Sequence, residues 1–289
     1  MRVADRYVDY ELIDASSGER LERWGDIILI RPDPQIIWNT EKKDKRWREA
    51  HARYIRSSQG GGKWQVYKNL PDRWNIKYGD LLFNVRTMGF KHTGVFPEQA
   101  VNWDFVADIV KNSDRQLSII NLFGYTGCAT LSALSAGAKV CHVDASKGMV
   151  QWARDNAAES GLSDKPVRWL VDDCIKFVNR EIRRGNKYDG IIMDPPSYGR
   201  GPGGEVWKLE EQIYSFVELC SELLSRDAKF FILNSYTAGL SPSVMKYILS
   251  AVIVPKLGGR VTCDEIGLPV TVSGQVLPCG STAIWQKDS

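Results

Sequence analysis

From about residue 100 the chain alternates short, almost wholly apolar segments with segments of helical length, and this alternation constrains the fold most strongly. Apolar strands of this length suit a parallel sheet that helices cover on both faces. The last two strands, 260–266 and 282–286, have no helix between them, which predicts one reversed strand. We therefore predict an α/β fold with a doubly wound, mostly parallel, seven-stranded Rossmann-like sheet. The strands that precede helices are predicted at 118–122, 139–143, 167–171, 188–193 and 229–233, and the helices at 102–111, 128–136, 147–160, 175–184, 209–224 and 243–254.

The first 85 residues follow a different pattern, with short strand-like runs broken by turns. These runs are predicted at 21–30, 35–38, 64–68, 74–78 and 81–86. A charged stretch, 41–56, is predicted to be helical, and the glycine-rich segment 57–62 is predicted to be a loop. We therefore predict two domains: a small β-rich unit with a basic helical insertion at 1–85, and the sheet domain at 86–289.

The charged stretch 41–56 holds seven basic and three acidic residues, whereas the whole chain has a net charge of only +3. Cations interleaved with aromatic residues such as Trp47 and Tyr54 are typical of a surface that binds nucleic acid. A solvated helix beside a small, tryptophan-rich core would give the same pattern. The candidate RNA-binding residues are the seven cations of the stretch: Lys42, Lys43, Lys45, Arg46, Arg48, Arg53 and Arg56.

Composition excludes several classes of protein. Hydrophobic residues make up 43% and charged residues 25% of the chain, which excludes a disordered protein. No apolar run approaches the roughly 18–20 residues that span a bilayer, and the N-terminus lacks a signal-peptide core, so we expect a cytoplasmic protein without a membrane partner. Six cysteines without a C-x-x-C pair and only three histidines give no metal-binding pattern, and the cysteines are expected to be packing residues.

Chemistry-bearing residues follow the predicted strands. The first strand ends in Asn121-Leu122-Phe123-Gly124-Tyr125-Thr126-Gly127, a tight turn in which a ligand can approach the backbone. Asp144 ends the second strand 20 positions after Gly124, which is typical of a carboxylate that binds ribose hydroxyls. The third strand leads into Asp172-Asp173-Cys174 and the fourth into Asp194-Pro195-Pro196-Ser197. The full G-x-G-x-x-G motif is absent, so these residues predict a cofactor that contains adenosine without a bound pyrophosphate.

These motifs resemble those of class I S-adenosylmethionine-dependent methyltransferases. The nearest resemblance is to the 23S ribosomal RNA large-subunit methyltransferase I/K type, and it covers roughly residues 85–289. It includes the segment His92-Thr93-Gly94-Val95-Phe96-Pro97-Glu98-Gln99, which is similar to a family segment that lies over the cofactor. The resemblance implies the cofactor S-adenosyl-L-methionine and an RNA substrate.

The resemblance also implies roles for individual residues. Phe123, Gly124, Tyr125 and Gly127 would surround the methionine part of the cofactor, Asp144 would bind the ribose with Ser146 nearby, and Asp173 would bind the adenine. Phe96 and Gln99 would close over the site, and Asp194, Pro195 and Pro196 would face the transferred methyl. The full set of cofactor-binding candidates is Thr93, Phe96, Gln99, Asn121, Phe123, Gly124, Tyr125, Thr126, Gly127, Asp144, Ser146, Asp173, Cys174 and Asp194, and the catalytic candidates are Asp194, Pro195, Pro196 and Ser197.

The acceptor atom is predicted from what the chain lacks after its strands. Methylation at carbon 5 of cytosine needs a thiolate nucleophile, and in relatives with that activity a cysteine follows the fourth or fifth strand. Here those positions read Pro196-Ser197 and Asn234-Ser235-Tyr236-Thr237. The sequence therefore predicts transfer to a nitrogen of structured, ribosomal RNA. A methyltransferase for proteins or small molecules, and a non-catalytic RNA-binding factor that keeps the cofactor pocket, are the alternatives.

Overall fold

The structure is a computed structural model that describes residues 1–57, 61–200, 206–237 and 239–288. The chain forms two compact units. The large unit consists of Met1–Arg2, Gln99–Ile266 and Gly280–Ser289, and the small unit consists of Val3–Glu98 and Gly267–Cys279. The predicted boundary at 85/86 therefore differs from the observed division. Residues 86–98 remain in the small unit, where the Arg86 amide donates to the Thr93 carbonyl, and 267–279 return to it as Thr271 and Val272 bond to Leu12 and Ile13.

The small unit is built mainly from antiparallel strands. Its elements are β2 (Tyr10–Ser16), β3 (Glu19–Trp24), β4 (Ile27–Pro32), the single helical turn α1 (Arg46–Glu49), β5 (Ala52–Arg56), β6 (Gly62–Val66), β7 (Trp74–Tyr78) and β8 (Leu81–Val85), and β1 (Arg2–Val3) precedes them. Its five-stranded sheet has the order β2-β3-β4-β5-β6, in which only β4 and β5 run parallel, and β7 pairs with β8 as a hairpin.

Three predictions for the small unit are wrong. The predicted strand 21–30 is two strands joined by a turn at Gly25, which has a φ of +61°. Residues 35–38 form no strand. The stretch 41–56 is not a helix: only four residues are helical, and Ala52–Arg56 pairs as a strand with β4 and β6. Cross-strand packing, such as Tyr54 opposite Trp64, decides against the helix there. Positions 58–60 of the predicted loop lie outside the described residues.

Buried ion pairs help to hold the small unit together. Glu22, which is fully buried, accepts two hydrogen bonds from Arg31, at 2.5 and 2.7 Å, and one from the Tyr10 hydroxyl at 2.8 Å. Burial opposes ionisation, but the charge and hydrogen bonds of Arg31 outweigh it and hold the pKa of Glu22 below its usual value. Arg20 is paired with Asp33 at 2.5 Å in the same unit. These charges are tolerated inside the unit because each is paired.

The large unit is a mostly parallel sheet with helices between its strands. A 3-10 turn (Pro97–Gln99) precedes α2 (Ala100–Lys111). The remaining elements are β9 (Ser118–Leu122), α3 (Cys128–Ser135), β10 (Lys139–Asp144), α4 (Lys147–Glu159), β11 (Val167–Val171), α5 (Cys174–Arg183), β12 (Gly190–Met193), β13 (Tyr198–Arg200), β14 (Val206–Lys208), α6 (Leu209–Ser221), β15 (Phe230–Ser235), α7 (Pro242–Val252), α8 (Val254–Leu257), β16 (Arg260–Pro269) and β17 (Val276–Gln286).

The sheet order is β1-β16-β17-β15-β12-β9-β10-β11. Strands β9 to β12 and β15 run parallel, and β17 is antiparallel to β15, as the helix-free end of the chain predicted. The α/β fold is confirmed, with the two-residue strand β1 as an eighth member and an unpredicted hairpin of β13 and β14. No helix in the described part of the chain is long and apolar enough to cross a membrane.

The strand order also fixes where a ligand can bind. The first strand of the series, β9, lies between β10 and β12. The chain continues from β9 to β10 and β11 on one side and then returns to form β12 and β15 on the other side. In open α/β sheets a crevice forms at the carboxyl ends of the strands where the order reverses. That position lies beside the segments that follow β9, β10 and β12, which are the segments that carry the candidate residues.

Replacement of Gly190 by alanine tests the packing of this sheet. A Cβ atom at Gly190 would lie 2.4 Å from the ring of the fully buried Phe230 on the neighbouring strand. We expect Gly190→Ala to lower the free energy of unfolding by about 1–3 kcal/mol in urea denaturation, because overpacking forces side chains or backbone to shift. The control is Gly148→Ala on the exposed side of α4, which should keep or slightly raise stability. Equal stability of the two variants would contradict the packing described here.

Candidate active site at the carboxyl ends of the parallel strands

The loop between β9 and α3 has an unusual backbone. Phe123 and Tyr125 have φ angles of +57° and +50°, and Gly127 follows at +86°. Left-handed conformations cost non-glycine residues roughly 1–3 kcal/mol, so other contacts must hold the loop in place. The amide of Gly124 donates to the Val143 carbonyl at 3.0 Å, and the amide of Tyr125 donates to the Asp144 carboxylate at 2.9 Å. The loop is therefore anchored to the end of β10.

Both glycines of this loop are required by close neighbours. A Cβ atom at Gly124 would lie 2.4 Å from the imidazole of His142, and one at Gly127 would lie 2.8 Å from the Cβ of Ala153. His142 is completely buried, and burial lowers its pKa to about 3, so its ring is neutral at physiological pH. The loop backbone thus lies directly on the ring of an uncharged histidine in β10.

Asp144 joins two segments of the site. One carboxylate oxygen accepts from the Tyr125 amide, and the other accepts from the Ser146 amide at 2.8 Å. Burial raises the pKa of Asp144 above its usual value, and the two amides offset part of that rise. A carboxylate oxygen accepts about two hydrogen bonds, so each one retains acceptor capacity for a ligand hydroxyl. The Ser146 hydroxyl caps α4 by accepting from the Met149 amide.

The acidic pair after β11 has structural contacts. Asp172 forms an ion pair with Arg180, and its amide donates to the Asp144 carbonyl at 3.0 Å. Asp173 caps α5 with one carboxylate oxygen, which accepts from the Lys176 amide at 2.8 Å. Cys174 is buried at the start of α5, where burial raises the pKa of its thiol.

Two of the candidates lie inside the unit. Asn121 is buried and donates to the Thr130 hydroxyl at 2.9 Å. Thr126 is also buried, and its carbonyl accepts from the Asn156 side chain at 2.9 Å. Through these contacts both residues stabilise the loop between β9 and α3 from inside the unit.

Asp194 follows β12 and is held from two sides. One carboxylate oxygen accepts from the Asn234 side-chain amide at 3.1 Å, and the other accepts from the Gln99 amide at 3.3 Å. Gln99 also donates to the Tyr236 hydroxyl at 3.0 Å. Asn234, near the end of β15, and Tyr236, directly after that strand, were not among the predicted site residues. Their position at the end of the fifth strand of the series is the sequence signal that could have found them.

The two prolines after Asp194 begin a segment that is fastened by side chains. Pro195 is buried, whereas Pro196 and Ser197 are exposed. The Pro196 carbonyl accepts from the Trp207 indole at 2.6 Å, and the hydroxyls of Ser197 and Thr237 lie 2.6 Å apart.

Trp207 joins this segment to the loop at 123–127 between β9 and α3, which we call the glycine loop. Its ring packs 6.1 Å from that of Phe123 and 5.7 Å from that of Phe216, so an aromatic cluster extends from the loop after β9 to β14 and α6. Trp207 was not identified from the sequence, because nothing local marks it as a neighbour of Phe123.

The segment that precedes Gln99 belongs to the small unit. Thr93 is buried there, and its carbonyl accepts from the Arg86 amide. Phe96 packs against His92, with ring centroids 5.0 Å apart, and burial lowers the pKa of His92 to about 3. Gln99 itself belongs to the large unit. Among the described residues, no cluster of histidine, cysteine and acidic side chains could hold a metal ion.

The basic stretch 41–56 is largely neutralised by acids. Glu19 pairs with both Lys42 and Arg53 at 2.7 Å. Arg46 pairs with Asp44 at 2.7 Å and with Glu11 at 3.2 Å. Lys43 lies 3.2 Å from Glu41. The remaining cations of the stretch, which are exposed and have no ion pair within the described ranges, are Lys45, Arg48 and Arg56.

The two aromatic residues of this stretch do not offer open faces. Tyr54 is buried and its hydroxyl donates to the Gly89 carbonyl at 3.3 Å. Trp47 is half-buried, its indole donates to Asp14 at 2.8 Å, and the Lys42 ammonium lies 4.0 Å from its ring centre. The exposed cations of this stretch are therefore accompanied by one buried and one half-buried aromatic ring.

Known proteins resemble the whole chain or its larger part. A crystal structure of a SAM-dependent methyltransferase from Agrobacterium tumefaciens is 36% identical, covers 99% of this chain and 93% of its own, and superimposes with a TM-score of 0.93. The ribosomal RNA large subunit methyltransferase K/L of Shewanella frigidimarina is 26% identical over 80% of this chain, and that of Shewanella baltica is 31% identical over 67% of it.

The chain spans about a third or less of these two longer relatives, with matches covering 32% and 26% of their lengths. The family model described as S-adenosylmethionine-dependent methyltransferase matches residues 43–222, which is more than half of the chain. Together with the crystal structure that matches almost the whole chain, this shows that the protein is an enzyme of the S-adenosylmethionine-dependent methyltransferase family, with S-adenosylmethionine as its cofactor.

Proposed function

We propose that this enzyme methylates a base nitrogen of structured, ribosomal RNA and that it does so in the cytoplasm, as a step of ribosomal RNA processing. The names of the two Shewanella relatives support the RNA substrate. The single observation that carries the choice of atom is the two-sided hold on Asp194 beside the Pro195-Pro196 turn. A fixed carboxylate that can accept a further hydrogen bond suits an amino or imino group of a base.

The residues around the glycine loop fit the cofactor. Gly124 and Gly127 allow the loop backbone to lie close against His142 and Ala153, which holds the loop where we place the methionine part of the cofactor. We assign the ribose hydroxyls to Asp144, with Ser146 beside it, and the adenine amino group to Asp173. Asp144 is suitable because its two amide bonds fix the carboxylate while leaving acceptor capacity. Phe123 and Tyr125 are part of this loop, Cys174 begins α5, and Gln99 contacts Asp194 within the large unit. Thr93 and Phe96 remain cofactor-binding candidates on the resemblance of their sequence segment.

When bound, S-adenosylmethionine supplies an electrophilic methyl group on a sulfonium. The protein then has to align the acceptor nitrogen with that methyl group. Asp194 would accept a hydrogen bond from the acceptor amine and thereby turn its lone pair towards the methyl. As the nitrogen–methyl bond replaces the sulfur–methyl bond, the proton that the nitrogen loses would pass by way of the Asp194 carboxylate to water. The Pro195 carbonyl is a second acceptor in the same turn. Pro196 and Ser197, held by Trp207 and Thr237, form the exposed wall beside the base.

The thiols support nitrogen over carbon as the acceptor. Attack on a pyrimidine ring needs a thiolate, and thiol pKa values can fall near positive charge or a helix N-terminus. Cys128 and Cys174 each begin a helix, but burial outweighs that effect. Burial instead raises the pKa of Cys128 to about 12 and that of Cys141 to about 11. It also raises the pKa of Cys174, Cys220 and Cys279. Cys263, on β16, packs partly buried against the core.

The proposal is tested by transfer of labelled methyl groups. Purified enzyme and radiolabelled S-adenosylmethionine are incubated with undermethylated total RNA and, in parallel, with total protein. We expect label in RNA, released by nuclease digestion as a nitrogen-methylated nucleoside. Label in protein or in small molecules, or a carbon-methylated nucleoside, would overturn the proposal.

Replacement of Asp144 by alanine tests the ribose site. The change removes a charged acceptor, and each hydrogen bond to a charged group contributes about 1.5–3 kcal/mol. For one bond, calorimetric titration should show affinity for S-adenosylmethionine reduced by about 10–150-fold. The control, Asp155→Ala, removes a carboxylate of α4 that contacts Gln151. Unchanged affinity in the Asp144 variant would place the ribose elsewhere.

Replacement of cysteines tests the mechanism. We expect Cys174→Ser and Cys220→Ser to retain methyl transfer once corrected for folded protein, because a buried, protonated thiol cannot act as the nucleophile. Rates of label transfer, with circular dichroism to measure the folded fraction, provide the check. Loss of activity in a folded variant would favour the cytosine-carbon mechanism.

The exposed cations test the RNA-binding surface. Removal of each cation that binds a phosphate should reduce the slope of log affinity against log salt by about one unit. Changing Lys45, Arg48 and Arg56 together to alanine should therefore flatten the slope by about three units. The matched control changes Lys42, Arg46 and Arg53, which remove the same charge but are paired with acids, and should flatten it less. Equal slopes for both triple variants and the wild type would show that the stretch is a solvated surface.

A further inference from the structure

The carboxylate of Asp194 belongs to a closed ring of hydrogen bonds in the large unit. Asn234 donates to Asp194 and accepts from the Thr282 hydroxyl at 2.5 Å. Thr282 in turn accepts from the Asn102 side-chain amide at 3.1 Å. Asn102 also donates to the side-chain carbonyl of Gln99 at 2.8 Å, and Gln99 closes the ring by donating to Asp194.

The ring is assembled from three neighbouring parts of the fold. Gln99 and Asn102 are three residues apart at the start of α2, so they lie on the same helical face. Asn234 and Thr282 are directly opposite each other on β15 and β17. Asp194 follows β12, the strand next to β15.

The guanidinium of Arg2 sets the direction of every bond in the ring. Arg2 donates to the Asn102 side-chain carbonyl at 2.7 Å and to the Val101 carbonyl at 2.5 Å. Because arginine can only donate, Asn102 must turn its NH₂ group towards Gln99 and Thr282. Gln99 then has to turn its own NH₂ group towards Asp194. Thr282, which accepts from Asn102, is left to donate to Asn234, and Asn234 also presents its NH₂ group to Asp194.

We propose that Arg2, Asn102 and Thr282 are positioning residues of methyl transfer: they fix the polarity of this ring so that both ring members beside Asp194, Gln99 and Asn234, present donors to it. The proposal rests on the proposed function, in which Asp194 accepts a hydrogen bond from the acceptor amine. Two donors on its flanks keep Asp194 an ionised acceptor with a fixed orientation. A reversed ring would present two carbonyl oxygens to the carboxylate, and Asp194 would then need a proton.

Burial makes this polarity hard to replace. Asn102, Asn234 and Thr282 are between 1% and 3% exposed, so water cannot readily substitute for a missing or reversed partner. The direction of the ring is fixed by Arg2, a cation outside it that can only donate, and it matches the ionised Asp194 within it, which can only accept.

The substitution Asn102→Asp reverses the ring with almost no change in shape. A carboxylate at position 102 keeps the bond from Arg2 but can only accept from Gln99 and Thr282. Gln99 then turns its NH₂ group away from Asp194 and its carbonyl towards it. Thr282 donates to residue 102, so Asn234 also turns its carbonyl towards Asp194.

Steady-state kinetics with RNA and S-adenosylmethionine test the reversal. We expect Asn102→Asp to lower kcat about 100-fold, the size of effect that misplacement of a catalytic group produces. Affinity for S-adenosylmethionine, measured by calorimetry, should fall far less than kcat, since the ring members among the cofactor-binding candidates, Gln99 and Asp194, are not assigned to the ribose or adenine. The matched control is Asn112→Asp at the exposed end of α2, which should retain wild-type kcat. A kcat for Asn102→Asp within threefold of wild type would overturn the proposal.

A second pair of variants covers the case in which Asn102→Asp folds poorly. Thr282→Val keeps the shape of the side chain but has no hydroxyl, whereas Thr282→Ser keeps the hydroxyl. We expect kcat to fall at least tenfold in the valine variant and to be restored by serine. Equal kcat for the two would show that Thr282 contributes packing alone.

A readout without RNA separates this proposal from the proposed function. The carbon-13 signal of the Asp194 carboxyl should show protonation at a higher pH in Asn102→Asp than in the wild type. Absence of that change would overturn the ring polarity. If the change appears and no variant, including the wild type, methylates RNA, the ring would stand and the RNA substrate would fail.

Discussion

The order of strands around β9 is the constraint on which the site depends. Because β9 lies between β10 and β12, the ends of three parallel strands meet at one edge of the sheet. The candidate functional groups lie where these strands end: the glycine loop after β9, Asp144 at the end of β10 and Asp194 after β12. The hydrogen bonds between these neighbouring strands therefore fix how far apart the three groups lie.

The cost of this arrangement is visible in the backbone of the glycine loop. Two non-glycine residues, Phe123 and Tyr125, adopt positive φ angles, and the bonds to Val143 and Asp144 compensate for them. The same Asp144 carboxylate that anchors the loop is the group assigned to the ribose. In the proposed assignment, loop conformation and cofactor binding are coupled through this one side chain. The neutral His142 beneath Gly124 provides the uncharged surface on which the loop lies.

The positive charge of the stretch 41–56 in the small unit is largely balanced by acids from other strands. Counting residues 41–56 in isolation gives a local charge of +4, but Glu11 and Glu19 come from strands earlier in the chain and pair with Arg46, Lys42 and Arg53. Partly exposed pairs of this kind contribute little to stability, about 0–1 kcal/mol each. Their main effect is to lower the positive charge that the stretch presents to solvent, which is left to a few exposed cations.

The sequence by itself determined the succession of parallel strands and intervening helices in the large unit, the reversed final strand and the positions of Asp144, Asp173 and Asp194, because these depend on local periodicity and on the residues that come directly after each strand. It could not determine that 52–56 is a strand, that 267–279 returns to the small unit, or that Asn102 and Thr282 meet. Those features depend on partners far away in the chain: Asn102 and Thr282 are 180 positions apart, and Gln99 and Asp194 are 95 apart. Only the tertiary structure brings such residues together, because hydrogen bonds and cross-strand packing between distant segments leave no periodic signal in the sequence.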